Sequence, residues 1–197
     1  MTSSGDIKKD RTLLLIIGLF LLPMLIASAM YWFSVRPDAA HHGDLISPPR
    51  SLHFSPMLTW QNKPFPEAGL HGKWSLLYVT PAPCSEQCAA RVYLMRQIHA
   101  ALGKDMGRVQ RIMLVAENPE GAQLDAIQRD YPDLIIIAKP VEVVAQMAGQ
   151  LAVQGKADDG IYLIDPQGNA MMHYPHGFSP GGIHQDLIRL LKYSWAG

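Results

Sequence analysis

Cys84 and Cys88 are the two cysteines of the chain, and only three residues separate them in Cys84-Ser85-Glu86-Gln87-Cys88. Two thiols so placed support three kinds of chemistry: a structural disulfide, exchange of that disulfide with another thiol, or ligation of one soft metal ion by both sulfurs. Four residues along a helix put both side chains on one face with a rise of about 6 Å, close to the range of roughly 4.4–6.8 Å that a disulfide tolerates between α-carbons. Pro83 favours a helix start directly after it and so places Cys84 at the N-terminal end. Free N–H groups and the positive end of the helix dipole there favour a thiolate. Cys84 is accordingly the better placed nucleophile or ligand, and Glu86 satisfies the same helix start by its charge. A purely structural bridge is the alternative in an exported protein. So short a loop would contribute only about 2 kcal/mol by loop entropy, which argues for redox or metal chemistry instead.

These cysteines need a rigid frame, and the flanking sequence supplies it. Lys73 to Thr80 is a short apolar run ending in Pro81-Ala82-Pro83, which reads as a buried strand. After the cysteines, Val92, Met95, Ile98 and Leu102 recur at helical spacing up to about Leu102. Farther on, the pattern predicts a strand over Val109–Ala116, a helix over Gly121–Asp130, a strand over Leu134–Ala138 too apolar to face water, and a helix from Pro140 to about Val153 with Val144, Met147 and Leu151 inward. Ile161-Tyr162-Leu163-Ile164, a turn at Asp165–Asn169, a return strand through Met172 and Tyr174 and a helix over Ile183–Tyr193 complete the domain. Strands alternating with helices, closed by a hairpin, imply an α/β mixed sheet.

Upstream, Leu13 to Phe33 carries no charge and is long enough to cross a bilayer. Lys8, Lys9 and Arg11 precede it, so the N-terminus is expected in the cytoplasm and the remainder outside, with Tyr31, Trp32 and Phe33 at the outer interface. Ala27-Ser28-Ala29 offers a cleavage site as the competing reading, a signal peptide, but the apolar run outlasts a usual signal core. The expected organisation is a cytoplasmic N-terminus at 1–12, a transmembrane anchor at 13–33, an extracytoplasmic linker at 34–56 and the α/β domain at 57–197. The linker reads as a semi-extended tether because Pro37, Pro48, Pro49 and Pro56 punctuate it, and its His41-His42 pair reads as solvated. Leu58 to Phe65 reads as a hairpin leading into the sheet.

Taken together, the order of elements and the paired cysteines after the first central strand resemble a thioredoxin-like fold. Leu70–Tyr78, the CxxxC at Cys84 and Cys88, and Tyr162-Leu163-Ile164-Asp165-Pro166-Gln167-Gly168 resemble the Sco/SenC family of membrane-anchored cytochrome c oxidase assembly proteins, over about residues 54–197. That resemblance implies copper as cargo, held by Cys84, Cys88 and one histidine, and as client the oxidase subunit that carries the binuclear copper site. It equally implies reduction of the cysteines of that site. It further implies a bacterial inner-membrane protein with a single span and a periplasmic domain.

Two positions depart from the family pattern. Ser85 stands where a proline usually follows the first cysteine, and Lys156-Ala157-Asp158-Asp159-Gly160 stands where the family's histidine lies. The nearest histidines are His173 and His176 in Met171-Met172-His173-Tyr174-Pro175-His176. His173 is therefore the expected third metal ligand, against the plainer reading of both as surface groups of a hairpin and its exit loop. No proline directly precedes Ile161, so the usual thioredoxin proline facing the redox pair is absent.

Other classes find little support. Lys plus Arg and Asp plus Glu number 17 each, with no long basic run, so nothing points to nucleic acid. Neither HExxH nor a paired CxxC is present, and Gly177 and Gly181-Gly182 lack the phosphate-loop pattern. Pro81-Ala82-Pro83-Cys84 does not show a peroxidase environment. Three expectations stay open: a copper-binding assembly factor, a membrane-tethered thiol–disulfide oxidoreductase, and a non-catalytic assembly scaffold.

Overall fold

The computed structural model describes residues 4–32, 41–52, 57–117, 121–152 and 159–194. The expectations placed on Phe33, on residues 34–40 and 53–56 of the linker, on Val153 and on Lys156-Ala157-Asp158 lie outside them. The chain forms two units, Met1–Ala40 and His41–Gly197. The first carries helix α1 (Ser4–Trp32), whose Leu13–Trp32 stretch has a mean hydropathy of 2.6 and is by length and composition able to cross a membrane.

The second unit is built on a six-stranded mixed sheet in the order β1-β8-β7-β4-β5-β6. In chain order its elements are β1 (Asp44–Ser51), β2 (Met57–Leu58), β3 (Pro64–Phe65), β4 (Trp74–Thr80), α2 (Glu86–Ala101), β5 (Val109–Ala116), α3 (Ala122–Asp130), β6 (Leu134–Lys139), α4 (Val141–Leu151), β7 (Ile161–Ile164), β8 (Asn169–Tyr174) and α5 (Pro180–Tyr193). β4 is central, parallel to β5 and antiparallel to β7, and every one of its residues is buried. That accounts for its predominantly apolar character, since both of its faces are covered.

Alternation along the strands separates two core layers. Trp74, Leu76 and Tyr78 face α2, α3 and α5, together with Val92, Met95, Ile127 and Leu187. Leu77 and Val79 face the opposite layer, with Val144, Leu151, Tyr162 and Phe65. This is the thioredoxin-like mixed sheet flanked by helices. Between β7 and β8 the Asp165 carboxylate accepts from Gln167 N and Asn169 N at 2.9 and 2.8 Å. Gly168 closes that turn at φ +87°, a conformation that favours glycine.

Three segments differ from the expectation. Asp44–Ser51, expected in the tether, is an edge strand antiparallel to β8. Pro48 and Pro49 sit where the register shifts between Leu45 and Arg50, a position that an edge strand tolerates because its outer N–H groups need no partner. The buried Ile46 anchors the strand, and the Asp186 carboxylate of α5 pins its start by accepting from His42 N at 2.8 Å and Gly43 N at 3.2 Å. The Leu58–Phe65 hairpin forms, but as a separate two-stranded sheet whose loop donates from Trp60 N to Ile136 O at 2.8 Å. Helix α5 begins at Pro180 rather than Ile183, with Ser179 as its cap and Pro180 in its first turn, the position proline favours.

Candidate redox and metal site

The C-terminal end of β4 delivers the chain into Pro81-Ala82-Pro83-Cys84, and Ser85 caps α2. The helix thus starts two residues later than the sequence implies. Serine is among the preferred capping residues, and Ala89 N donates to Ser85 O at 3.0 Å to open the helical ladder. Cys84 precedes the cap, whereas Cys88 occupies the first turn. The two are joined as a disulfide with their α-carbons 5.2 Å apart. Cys84 is 8% exposed and Cys88 only 2%, so Cys84 is the sulfur a partner reaches first. Closing this five-residue loop contributes about 2 kcal/mol by loop entropy. Reduction is therefore expected to leave a folded domain, with an unfolding free energy lower by about that amount in paired denaturant titrations with and without reductant.

Around the cysteines lies the end of the sheet where β4 stops and β7 begins. Val79 N meets Gly160 O at 3.4 Å, which sets Asp159 beside the end of β4. Tyr78 belongs to the same apolar layer as both cysteines. Its hydroxyl and Asp159 Oδ1 are buried with no hydrogen-bond partner among the described residues. Burial, and after it the Asp159 carboxylate, push the Tyr78 phenol well above its usual range, against the smaller opposing effects of Thr80 and then Arg91. Tyr78 is thus held neutral beside the cysteine pair. A buried cation and a carboxylate close to a redox-capable pair were not legible in the sequence, because Arg91 and Asp159 lie on separate elements that only the sheet brings to one edge.

The structure brings Cys84 and Cys88 together but does not bring His173 to them. Met172 and Tyr174 belong to the layer that holds the cysteines. His173 stands between them on β8, so it projects from the other face, where its ring lies 4.7 Å from that of Tyr162. Its Nδ1 is 3.9 Å from Asp44 Oδ2, and the residue is 4% exposed. It is neither a ligand partner of the cysteines nor the surface group of the plainer reading. His42, expected to be solvated, has a side chain 42% exposed that also meets Asp186 at 3.2 Å. His176 instead lines a groove beside α2. Among the described residues no group of three or more His, Cys, Asp or Glu side chains could hold a metal ion. The candidate donor set therefore reduces to two sulfurs, which suits soft cuprous ion and lacks the nitrogen that cupric ion prefers.

Against known protein families, residues 74–194 match the model described as transmembrane-like, thioredoxin-like, C-terminal domain, which spans more than half of the chain. The chain belongs to this family. Solved structures similar to this member of the transmembrane-like, thioredoxin-like family include yeast Sco1 with copper bound, at a TM-score of 0.60 and 17% identity over 76% of this chain and 96% of that one. Bradyrhizobium japonicum ScoI with copper bound matches at 0.54 and 19% identity, over 71% and 98% of the two chains. MTB DsbF, solved in mixed oxidised and reduced forms, matches at 0.53 and 20% identity, over 71% and 96%. The Sco/SenC likeness read from the sequence thus reappears in the fold. No curated protein sequence matches the chain.

Proposed function

We propose that this protein is a membrane-anchored, extracytoplasmic Sco-like assembly factor that handles copper for cytochrome c oxidase through Cys84 and Cys88. The observation that carries this reading is the CxxxC pair at the strand-to-helix turn, with its two sulfurs converging on one point. Its fold is that of Sco proteins solved with copper bound. Once reduced, the two thiolates fit a single cuprous ion as cargo, for which two soft sulfur donors suffice. The binuclear copper subunit of the oxidase is the proposed client. The apolar Leu13–Trp32 stretch supports the anchor, and the positive charges before it support a cytoplasmic N-terminus with the domain on the periplasmic side of a bacterial inner membrane.

A second reading draws on the closed disulfide: thiol–disulfide exchange with the oxidase cysteines. In the reducing direction Cys84 attacks a client disulfide, Cys88 resolves the mixed disulfide, and two electrons with two protons pass to the client while Cys84–Cys88 closes. Cuprous titration of the reduced full chain in detergent, against a competing chelator and beside a Cys84→Ser/Cys88→Ser chain, separates the two. One tightly held ion per chain, lost in the double variant, is the expected result. Binding no better than the variant would sink the copper reading, and turnover of a disulfide client without metal would then favour exchange.

A further inference from the structure

β6 is the outermost strand on its side of the sheet, so one row of its backbone groups faces away from β5. Glu117 N donates to Lys139 O at 2.8 Å, which turns Lys139 toward β5, and Trp60 N donates to Ile136 O at 2.8 Å, which turns Ile136 outward. Successive residues of a strand address opposite edges, so Ala138, in step with Ile136, presents its N–H and C=O to the outer edge. Among the described residues neither group has a hydrogen-bond partner. The loop at Trp60 thus covers the edge at Ile136 and stops short of Ala138. There a cleft of about 420 Å³ opens, within the range of roughly 300–1,000 Å³ common to ligand sites. Trp60 forms a fixed wall of it, because its Nε1 also donates to Asp125 Oδ1 at 2.7 Å. Glu117 and Lys139 line it with opposite charges and make no ion pair with each other or with another described residue.

We propose that this cleft receives an extended segment of a partner polypeptide, which adds to the edge of β6 at Ala138 and sets one basic side chain against Glu117 and one acidic side chain against Lys139. Open donors and acceptors on an edge strand are a template for one more strand. An added segment satisfies both Ala138 groups at once, so that its main chain supplies affinity while its side chains supply choice. The charges favour a partner of mixed sign, and the Trp60 ring gives an apolar side chain of the segment a surface to meet. A second copy of the chain fits less well: the Trp60 loop already occupies Ile136 and leaves too short a stretch for two β6 strands to pair. β4, β5 and β6 run parallel, so the cleft and the cysteine turn share one end of the sheet, with β6 about 10 Å from β4. A partner seated here is held at the end that carries Cys84, whether the pair handles copper or exchanges thiols.

The probe is a blocked seven-residue peptide of alternating valine and threonine, with one lysine and one glutamate in place of two threonines, titrated into the full chain in detergent. Saturable binding is expected. At ten times its Kd the peptide is expected to slow hydrogen exchange of the Ala138 amide about tenfold, since only the free chain exchanges there. The Ile137 amide, which faces β5, is expected to stay unchanged. Ala138→Pro removes the one outward N–H without touching the ladder to β5, and is expected to weaken binding about tenfold. Ala138→Ser keeps the N–H and is expected to keep the affinity. Lys139→Glu is expected to weaken binding several-fold in a salt-dependent way, and a peptide with lysine in place of its glutamate recovers the loss. Absence of binding, an Ala138 amide whose exchange is the same in the saturated complex, or equal affinity of wild type and Ala138→Pro would each overturn the proposal. The exchange measurement uses the wild type alone and decides even where Ala138→Pro does not fold. Concentration-dependent association of the chain without peptide, lost in Ala138→Pro, would make a second copy the occupant and overturn the partner assignment.

Discussion

Cys84→Ser is expected to stop thiol exchange altogether, bringing the rate down to that of the Cys84→Ser/Cys88→Ser chain, whereas Cys88→Ser is expected to accumulate a stable mixed disulfide. The asymmetry follows from position. Cys84 is the more exposed sulfur and lies ahead of the helix cap, whereas Cys88 is packed into the first turn under the apolar layer. The outer sulfur attacks, and the inner one is placed to resolve the product. Without Cys88 the first adduct has no intramolecular exit. Mass spectrometry after incubation of each reduced single variant with a small aromatic disulfide reads this directly. Adduct formation at equal rates by the two single variants would overturn the assignment of attack to Cys84. Both variants are expected to lose cuprous binding, because a lone thiolate leaves the ion without the second soft donor that the pair supplies.

Asp133→Ala is expected to destabilise the domain by about 2–3 kcal/mol, while Arg111→Met is expected to change stability by less than about 1 kcal/mol or to raise it. Arg111 sits within β5 at 1% exposure, with Nη2 2.6 Å from Asp133 Oδ1. Its Nε and the other terminal nitrogen are buried with no hydrogen-bond partner among the described residues. Removal of the carboxylate strands a buried cation, an effect of about 3–5 kcal/mol for a fully buried pair, discounted here because the Asp133 side chain is 58% exposed and partly screened. Removal of the cation instead leaves an apolar side chain in an apolar layer. Partial burial pulls the Asp133 carboxyl upward, but the hydrogen bond and charge of Arg111 outweigh it and hold the group below its usual value. The folded state thus binds this proton more weakly than the unfolded chain. The contribution is fully present above the unfolded value of about 3.9 and is lost as pH falls below it through the folded value. Denaturant midpoints followed from pH 6 to pH 3 should therefore fall more steeply for wild type than for Asp133→Asn, and parallel curves would refute the assignment.

The strands of the sheet centre were legible because burial on both faces writes itself as unbroken apolar runs. Ile161–Ile164 is wholly of this kind, and Trp74–Thr80 and Val109–Ala116 are so apart from Ser75, Thr80, Gln110 and Arg111. The cysteine turn was legible because Pro81 and Pro83 punctuate it, whereas the capping role of Ser85, which starts the helix two residues later, was not read. Strand β1 was not, since its prolines and exposed side chains read as a linker and its pairing partner lies far along the chain. The placement of His173 could have been found: Met172 and Tyr174 flank it in a strand of period two, so the residue between two inward groups on one face must serve the other.

The pairing of β1 with β8 also sets the order in which the domain can be completed. Ser51 and Asn169, bonded side chain to side chain at 2.7 Å, are 118 residues apart in sequence. A contact of that separation forms late, since it must await both the emergence of β8 and the closure of a long loop. Until then Asp44–Ser51 waits as a nascent strand with both edges open, the kind of segment that recruits neighbouring chains into aggregates. Pro48 and Pro49, which the finished sheet merely tolerates at its rim, withhold two N–H donors during that wait. With two donors fewer, the segment is a poorer template for a neighbouring chain until it meets its own partner.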